Sequence, residues 1–250
     1  MRDRYDKNGR LSVAERKRRR IRRRHRERFL WISTILLVPA LAVVLAAGIL
    51  RLLKSREPGR EAMAYEKKYI ADAPEFQVRL LDMNEYSRPG TALPEVKGIV
   101  VHYTANPGTT AEQNRSYFEN LKDTGETYAS SHFIIGMEGE IVQCIPCNEI
   151  AYASNDRNAD TVSIECCIPD ETGKFSDETY QSLVAMTAWL MGRYDLATDD
   201  VIRHYDVTGK ACPKFYVENE WAWGQFKSDL LTFIDTYGVT RTVEGQPEGE

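Results

Sequence analysis

The sequence predicts a mixed α/β domain, a central β-sheet flanked by helices, preceded by one transmembrane helix. Three observations carry this expectation. Phe29–Leu50 is a 22-residue run without a charged side chain. From about Glu75 to Tyr237, short runs rich in β-branched residues alternate with segments of helical periodicity. That stretch, about 160 residues, is long enough to enclose one core.

The ends of the chain differ in charge. Residues 1–28 carry 14 Lys and Arg against 4 Asp and Glu, whereas residues 29–250 carry 19 against 33. As a helix, the apolar run would extend roughly 33 Å, enough to cross a bilayer core. Pro39 and Gly48 within it are tolerated in membrane helices. The basic block flanks only its N-terminal side, which keeps residues 1–28 cytoplasmic and sends the rest outside. The same block would favour anionic lipid heads on the inner leaflet. It lacks interleaved aromatics or a nucleic-acid motif, so no nucleic-acid partner is expected. A cleaved signal peptide is the competing reading. The run exceeds the usual apolar region of such a peptide, and Arg51–Arg56 offers no small-residue cleavage site, although Ala46-Ala47-Gly48 lies inside the run.

Residues 51–75 are charged and weakly periodic and read as a stalk, part helical over Ala62–Ile70. The domain proper is expected at 76–237. Its first strand is Lys97–Tyr103, a short apolar run. Thr110–Leu121 opens with threonines and an acid and reads as a helix. His132–Gly136 and Glu140–Ile145 flank Met137-Glu138-Gly139, a hairpin turn. Thr161–Cys167 is a further strand. Ser176 caps a long helix with acids in its first turn. Its apolar positions Tyr180, Leu183, Val184, Thr187, Leu190, Met191 and Tyr194 follow the helical period. Val201–His204 reads as a short strand, and Trp221–Tyr237 as an amphipathic helix presenting Trp223, Phe226, Leu230, Phe233 and Ile234. The tail, 238–250, is rich in Gly, Pro and Glu and should be disordered. No internal repeat is visible.

Two histidines, His102 and His204, stand at predicted strand ends, and Cys212 follows His204 by eight residues. That spacing suits no single helical face, so the loop must turn back; Gly209 can supply the turn and Pro213 the exit. Two imidazoles and a thiolate could hold a zinc ion with an open fourth position. Each residue alone reads equally as an ordinary core or loop residue, the cysteine as a small buried hydrophobe. Strand alternation puts Ser163 and Glu165 on one face and Val162 and Ile164 on the other. Cys144, Cys147, Cys166 and Cys167 could form disulfides outside the membrane or remain free thiols. The Cys144–Cys147 spacing matches a redox pair without a thioredoxin context.

Four blocks occur in order: Val-Val-His-Tyr-Thr-Ala-Asn around His102, Ser-Ser-His-Phe-Ile-Ile around His132, Val-Ser-Ile-Glu-Cys around Glu165, and His-Tyr-Asp-Val-Thr-Gly-Lys-Ala-Cys-Pro from His204. Together they resemble the zinc-dependent N-acetylmuramoyl-L-alanine amidases, the family of phage lysozyme-amidases and peptidoglycan recognition proteins, over about Val96 to Ile234. The resemblance implies that His102, His204 and Cys212 are zinc ligands, Glu165 the general base and Lys210 the donor to the oxyanion. Candidate substrate contacts are Asn106 and His132, the latter reading equally as a packed residue at a strand start. One departure bears on mechanism: some members carry a catalytic tyrosine before the histidine of the second block, where this chain has Ser131, with Tyr128 three residues earlier. The expected protein is thus a bacterial, membrane-anchored, monomeric zinc amidase acting on peptidoglycan. A non-catalytic peptidoglycan-binding or sensing protein on the same fold is the alternative, and a tethered interaction protein the more distant one.

Overall fold

The computed structural model describes residues 67–240, together with Lys17. The expected basic tail 1–28, the apolar run 29–50, most of the stalk and the tail from 241 lie outside the described residues. Among the described residues, no helix is long and apolar enough to cross a membrane.

Residues 67–240 contain eight strands and five α-helices. The strands are β1 (Lys68–Tyr69), β2 (Gln77–Val78), β3 (Gly98–Tyr103), β4 (Phe133–Ile135), β5 (Ile141–Gln143), β6 (Thr161–Cys166), β7 (Val201–Arg203) and β8 (Val239–Thr240). The helices are α1 (Ala111–Thr124), α2 (Asp177–Tyr194), α3 (His204–Thr208), α4 (Lys214–Glu218) and α5 (Glu220–Tyr237). Six strands form one sheet in the order β2-β5-β4-β6-β3-β7. Only the β4–β5 hairpin is antiparallel; the other four pairings are parallel.

The central strands are apolar on both faces because both faces are covered, as parallel sheets require. On one side, Ile99, Val101, Phe133, Ile135, Val162 and Ile164 pack with Leu183, Met186 and Leu190 of α2 and Phe226 and Leu230 of α5. On the other, Ile134 and Val142 pack with Phe118 and Leu121 of α1. Phe226 is fully buried and lies against Trp223 and Tyr180, with ring centroids 5.1 and 5.9 Å away. Phe226→Ala should therefore cost about 3–5 kcal/mol of unfolding free energy. Urea denaturation measures this, and a negligible change would contradict the packing described.

The helix boundaries follow their caps. Thr110 and Gln113 form a reciprocal capping box at α1, and Gly125, with φ 62°, ends it one turn beyond the expected Leu121. Ser176 accepts the Thr179 N–H at 3.1 Å, as its position before two acids suggested. Helix α2 is buried beyond the expected stripe, at Met186, Ala188 and Trp189 as well, because the sheet and α5 cover different sides of it. In the hairpin, Gly139 adopts φ 85° and donates to the Gly136 carbonyl at 3.1 Å.

Three expectations need correction. The segment 67–75, assigned to a stalk, belongs to the domain: β1 pairs antiparallel with β8, and Ile70 packs on the larger core cluster. Gly192 of α2 permits that approach, since a Cβ there would meet the Ile70 carbonyl at 3.1 Å. Its signal is two residues long, too short for strand periodicity to register. For the same reason the C-terminal edge of the domain extends past Tyr237 to Thr240. Finally, His204 does not end a strand; β7 stops at Arg203 and His204 opens α3. Arg203 ends the strand because its own N–H is taken by the Asp206 carboxylate at 2.8 Å.

Candidate active site

Strands β6, β3 and β7 are neighbours and all parallel, so their C-terminal ends open on the same edge of the sheet. That edge is where loops diverge and ligands bind in open parallel sheets. Each strand delivers one polar group there: Glu165 from β6, His102 from β3, and His204 directly after β7. Glu165 and His102 are register partners and project from the same sheet face. A cleft of about 340 Å³ lies over this edge, lined by these three residues, Lys210, Cys212, Phe118 and Tyr128 among others.

Cys212 arrives by the return of the loop after α3. Gly209, at φ 77°, ends that helix, and the Tyr205 N–H donates to the Cys212 carbonyl at 2.9 Å, closing the turn. Arg203 clamps the same loop from beneath. Its buried guanidinium pairs with Asp206 at 2.9 Å and Glu220 at 2.6 Å, donates to the Tyr216 carbonyl at 2.9 Å, and lies over the rings of Tyr205 and Trp223. The sequence reading overlooked this residue.

Ligand atoms of His102, His204 and Cys212 all lie within 4.8 Å of one another. His102 Nδ1 is 3.9 Å from Cys212 Sγ, and the two imidazole centroids are 4.7 Å apart. Both histidines are held below the usual imidazole range. Burial is the main cause in each, joined at His102 by the neighbouring His204 and Lys210, and at His204 by Lys210. Both imidazoles are therefore neutral at pH 7. Burial pushes the Cys212 thiol up to about 12, with the Glu165 charge adding to it. A divalent cation would reverse that preference and bind the thiolate. Two neutral imidazoles and a thiolate at this spacing fit a tetrahedral zinc ion with one open position.

Glu165 carries no hydrogen-bond partner on its buried Oε2 among the described residues. Burial raises its carboxyl to about 8, opposed by the charge of Lys210. A buried carboxyl of this kind, facing a cleft beside three metal-type side chains, is placed to exchange protons there. Lys210 is exposed at the cleft wall.

The two candidate substrate contacts are placed elsewhere. His132 is buried and outside the cleft. Its Nε2 donates to the Glu149 carbonyl at 2.9 Å and its Nδ1 accepts the Ser163 N–H at 3.0 Å, so both nitrogens are committed inside the domain. Asn106 is exposed, in the turn closed by Thr109, whose hydroxyl donates to the Asn106 carbonyl at 2.6 Å, and it does not line the cleft. Ser131, which stands where some relatives have a tyrosine, is buried and bonded to the Ser163 carbonyl at 3.0 Å. Tyr128 does reach the cleft and is 58% exposed, with Tyr152 against it at 5.4 Å. No periodicity marks these aromatics; only the loop between β5 and β6 brings Tyr152 to Tyr128. All five cysteines are free thiols, so none of the possible disulfides forms.

His132 makes stability depend on acid. Burial lowers it from 6.5 to about 4. Above about pH 6.5 it is neutral whether the chain is folded or not, and stability is unaffected. Below that, the unfolded chain takes a proton that the folded one refuses, so stability falls down to about pH 4, by about 3 kcal/mol. Urea titrations across this range should show the loss, and a profile in His132→Gln as steep as in the wild type would refute it.

Residues 92–215 match the family model described as N-acetylmuramoyl-L-alanine amidase. Over those residues the chain carries an N-acetylmuramoyl-L-alanine amidase family domain. It is 35% identical over 173 residues to the amidase CwlL of Bacillus licheniformis, covering 64% of this chain and 48% of that relative. It is 31% identical over 193 residues to the amidase BlyA of Bacillus subtilis, covering 69% and 51%. The chain thus spans about half the length of the curated relatives it matches. Among solved structures, the PlyG catalytic domain superposes with a TM-score of 0.54 at 26% identity, covering 69% of this chain and all of that one. PlyL superposes with a TM-score of 0.53 at 25% identity, covering 63% and 97%. The His102, Glu165 and His204–Cys212 blocks lie inside the matched region 92–215.

Proposed function

We propose that this chain hydrolyses the amide bond between N-acetylmuramic acid and L-alanine in peptidoglycan, with zinc held by His102, His204 and Cys212. The observation that carries this reading is the convergence of those three ligand atoms beside the buried carboxyl of Glu165, whose Oε2 has no hydrogen-bond partner among the described residues. When bound, zinc would polarise the scissile carbonyl and acidify a water. Glu165 takes the proton from the attacking water and passes it to the leaving amine of L-alanine. Its raised proton affinity suits both halves of that transfer. Lys210 stabilises the oxyanion that develops on the carbonyl, a charge largest in the transition state. Tyr128 and Phe118 give the cleft apolar walls against which substrate can lie.

The placement we propose follows from the sequence: residues 1–28 in the cytoplasm, 29–50 as the anchor, and a monomeric catalytic domain outside the bacterial membrane. No nucleic-acid partner is part of this reading. A sensor without catalysis would not need Glu165 and Lys210 in addition to the three ligands, and the cleft retains all five.

The test uses the full chain in detergent with a defined muropeptide and mass spectrometry of the products. The expected products are an intact glycan and a stem peptide with a free L-alanine amino group. Activity should vanish on chelation and return with zinc. Cleavage within the glycan, or no cleavage in the zinc-loaded protein, would overturn the proposal.

A further inference from the structure

The loop between β5 and β6 carries a short 3₁₀ turn, Asn155–Ala159, directly preceded by Ser154. Two adjacent residues there meet the far sides of the two imidazoles. Ser154 Oγ lies 3.2 Å from His102 Nε2, and Asn155 Oδ1 lies 3.2 Å from His204 Nε2. Ser154 is 1% exposed, so its hydroxyl is committed to the interior. Asn155 adopts φ 51°, a conformation that asparagine tolerates better than most residues. Asn158 fixes the turn, its Oδ1 accepting the N–H groups of Ala153 at 3.0 Å and Ser154 at 2.6 Å.

We infer that Ser154 and Asn155 are positioning residues that hold both histidines for metal binding, Asn155 also setting the tautomer of His204. The inference rests on the zinc reading above. His102 turns Nδ1 toward Cys212 Sγ, so the lone pair needed by a metal is on Nδ1 and the proton must sit on Nε2. The Ser154 hydroxyl can accept that proton's hydrogen bond or donate to a bare Nε2, so it holds the ring of His102 without choosing its tautomer. The amide oxygen of Asn155 can only accept, so it favours the proton on His204 Nε2 and leaves Nδ1 for a metal. One turn therefore holds both rings before metal arrives. These residues escape sequence reading because serine and asparagine in a loop carry no spacing signal; their role exists only through contacts 49 and 52 residues distant along the chain.

The experiment measures zinc affinity of the full chain by competition with a fluorescent chelator, together with ¹⁵N spectra of the zinc-free histidines. Asn155→Gly keeps the left-handed backbone and deletes only the acceptor. Ser154→Ala deletes the other acceptor. Each should weaken zinc binding roughly 10- to 100-fold. Asn155→Asp retains an acceptor and should restore the affinity lost in Asn155→Gly. In the zinc-free wild type, His204 should carry the proton on Nε2, and its ring should become a tautomer mixture in Asn155→Gly. Unchanged zinc affinity in both deletions, or an Nδ1-protonated His204 in the wild type, would overturn the inference while leaving the amidase reading intact. A wild-type chain that binds no zinc would overturn both.

Discussion

Cys212→Ala is expected to empty the proposed metal centre and reduce amide cleavage to background. The thiolate is the only anionic ligand of the three, so its loss removes both a donor and the charge that offsets the dication. Two imidazoles alone leave a site of much weaker affinity. The fold should survive. Cys212 is a small buried side chain on a loop held independently by Gly209 and by the Arg203 clamp. Its truncation should cost only about 1 kcal/mol. Elemental analysis of the purified full chain gives zinc per protein, and muropeptide turnover gives activity. A Cys212→Ala chain retaining one zinc and wild-type turnover would remove this residue from the ligand set and, with it, the proposed mechanism.

Glu165→Gln separates metal binding from proton transfer. It preserves shape and leaves all three ligand atoms in place, so zinc content should match wild type. The rate constant kcat should fall about 10²- to 10⁴-fold, the usual contribution of a positioned acid–base group. The pH profile supplies a second readout. Burial raises this carboxyl to about 8 before any metal is present. A bound dication favours the carboxylate and draws that value down. The base must be ionised to act, so wild-type activity is lost as pH falls through its pKa, on a limb lying below pH 8. Glu165→Gln should abolish that limb. A residual activity in the variant that keeps the wild-type acid limb would assign the titration, and the base, to another group.

The strands and long helices of the domain are readable from the sequence because their signals are local. Burial on both faces of a parallel sheet writes continuous apolar runs such as Gly98–Tyr103, and caps such as Thr110 and Ser176 write the helix starts. The site is readable to the extent that its residues sit in strongly patterned segments: His102 and Glu165 at the ends of strands, His204 and Cys212 in one motif. What the sequence hides is what distant pairing creates. Strands β1 and β8 are two residues each and acquire strand character only from one another. The assignment of His132 to substrate follows from its place in a motif, whereas its two internal hydrogen bonds decide otherwise. Ser154, Asn155 and Arg203 gain their roles from partners across the fold, so no pattern in their own neighbourhood marks them.

The β1–β8 ribbon has a mechanical consequence. It is hydrogen-bonded separately from the six-stranded sheet that presents the catalytic edge. A pull transmitted along the backbone into Lys67 loads this ribbon first, along with the Lys67–Asp195 and Lys68–Asp235 ion pairs. Two residue pairs can shear or peel apart as a fuse before tension reaches β3, β6 or β7. Force applied at Lys67 would thus be met by this ribbon before it reached the strands that carry His102 and Glu165.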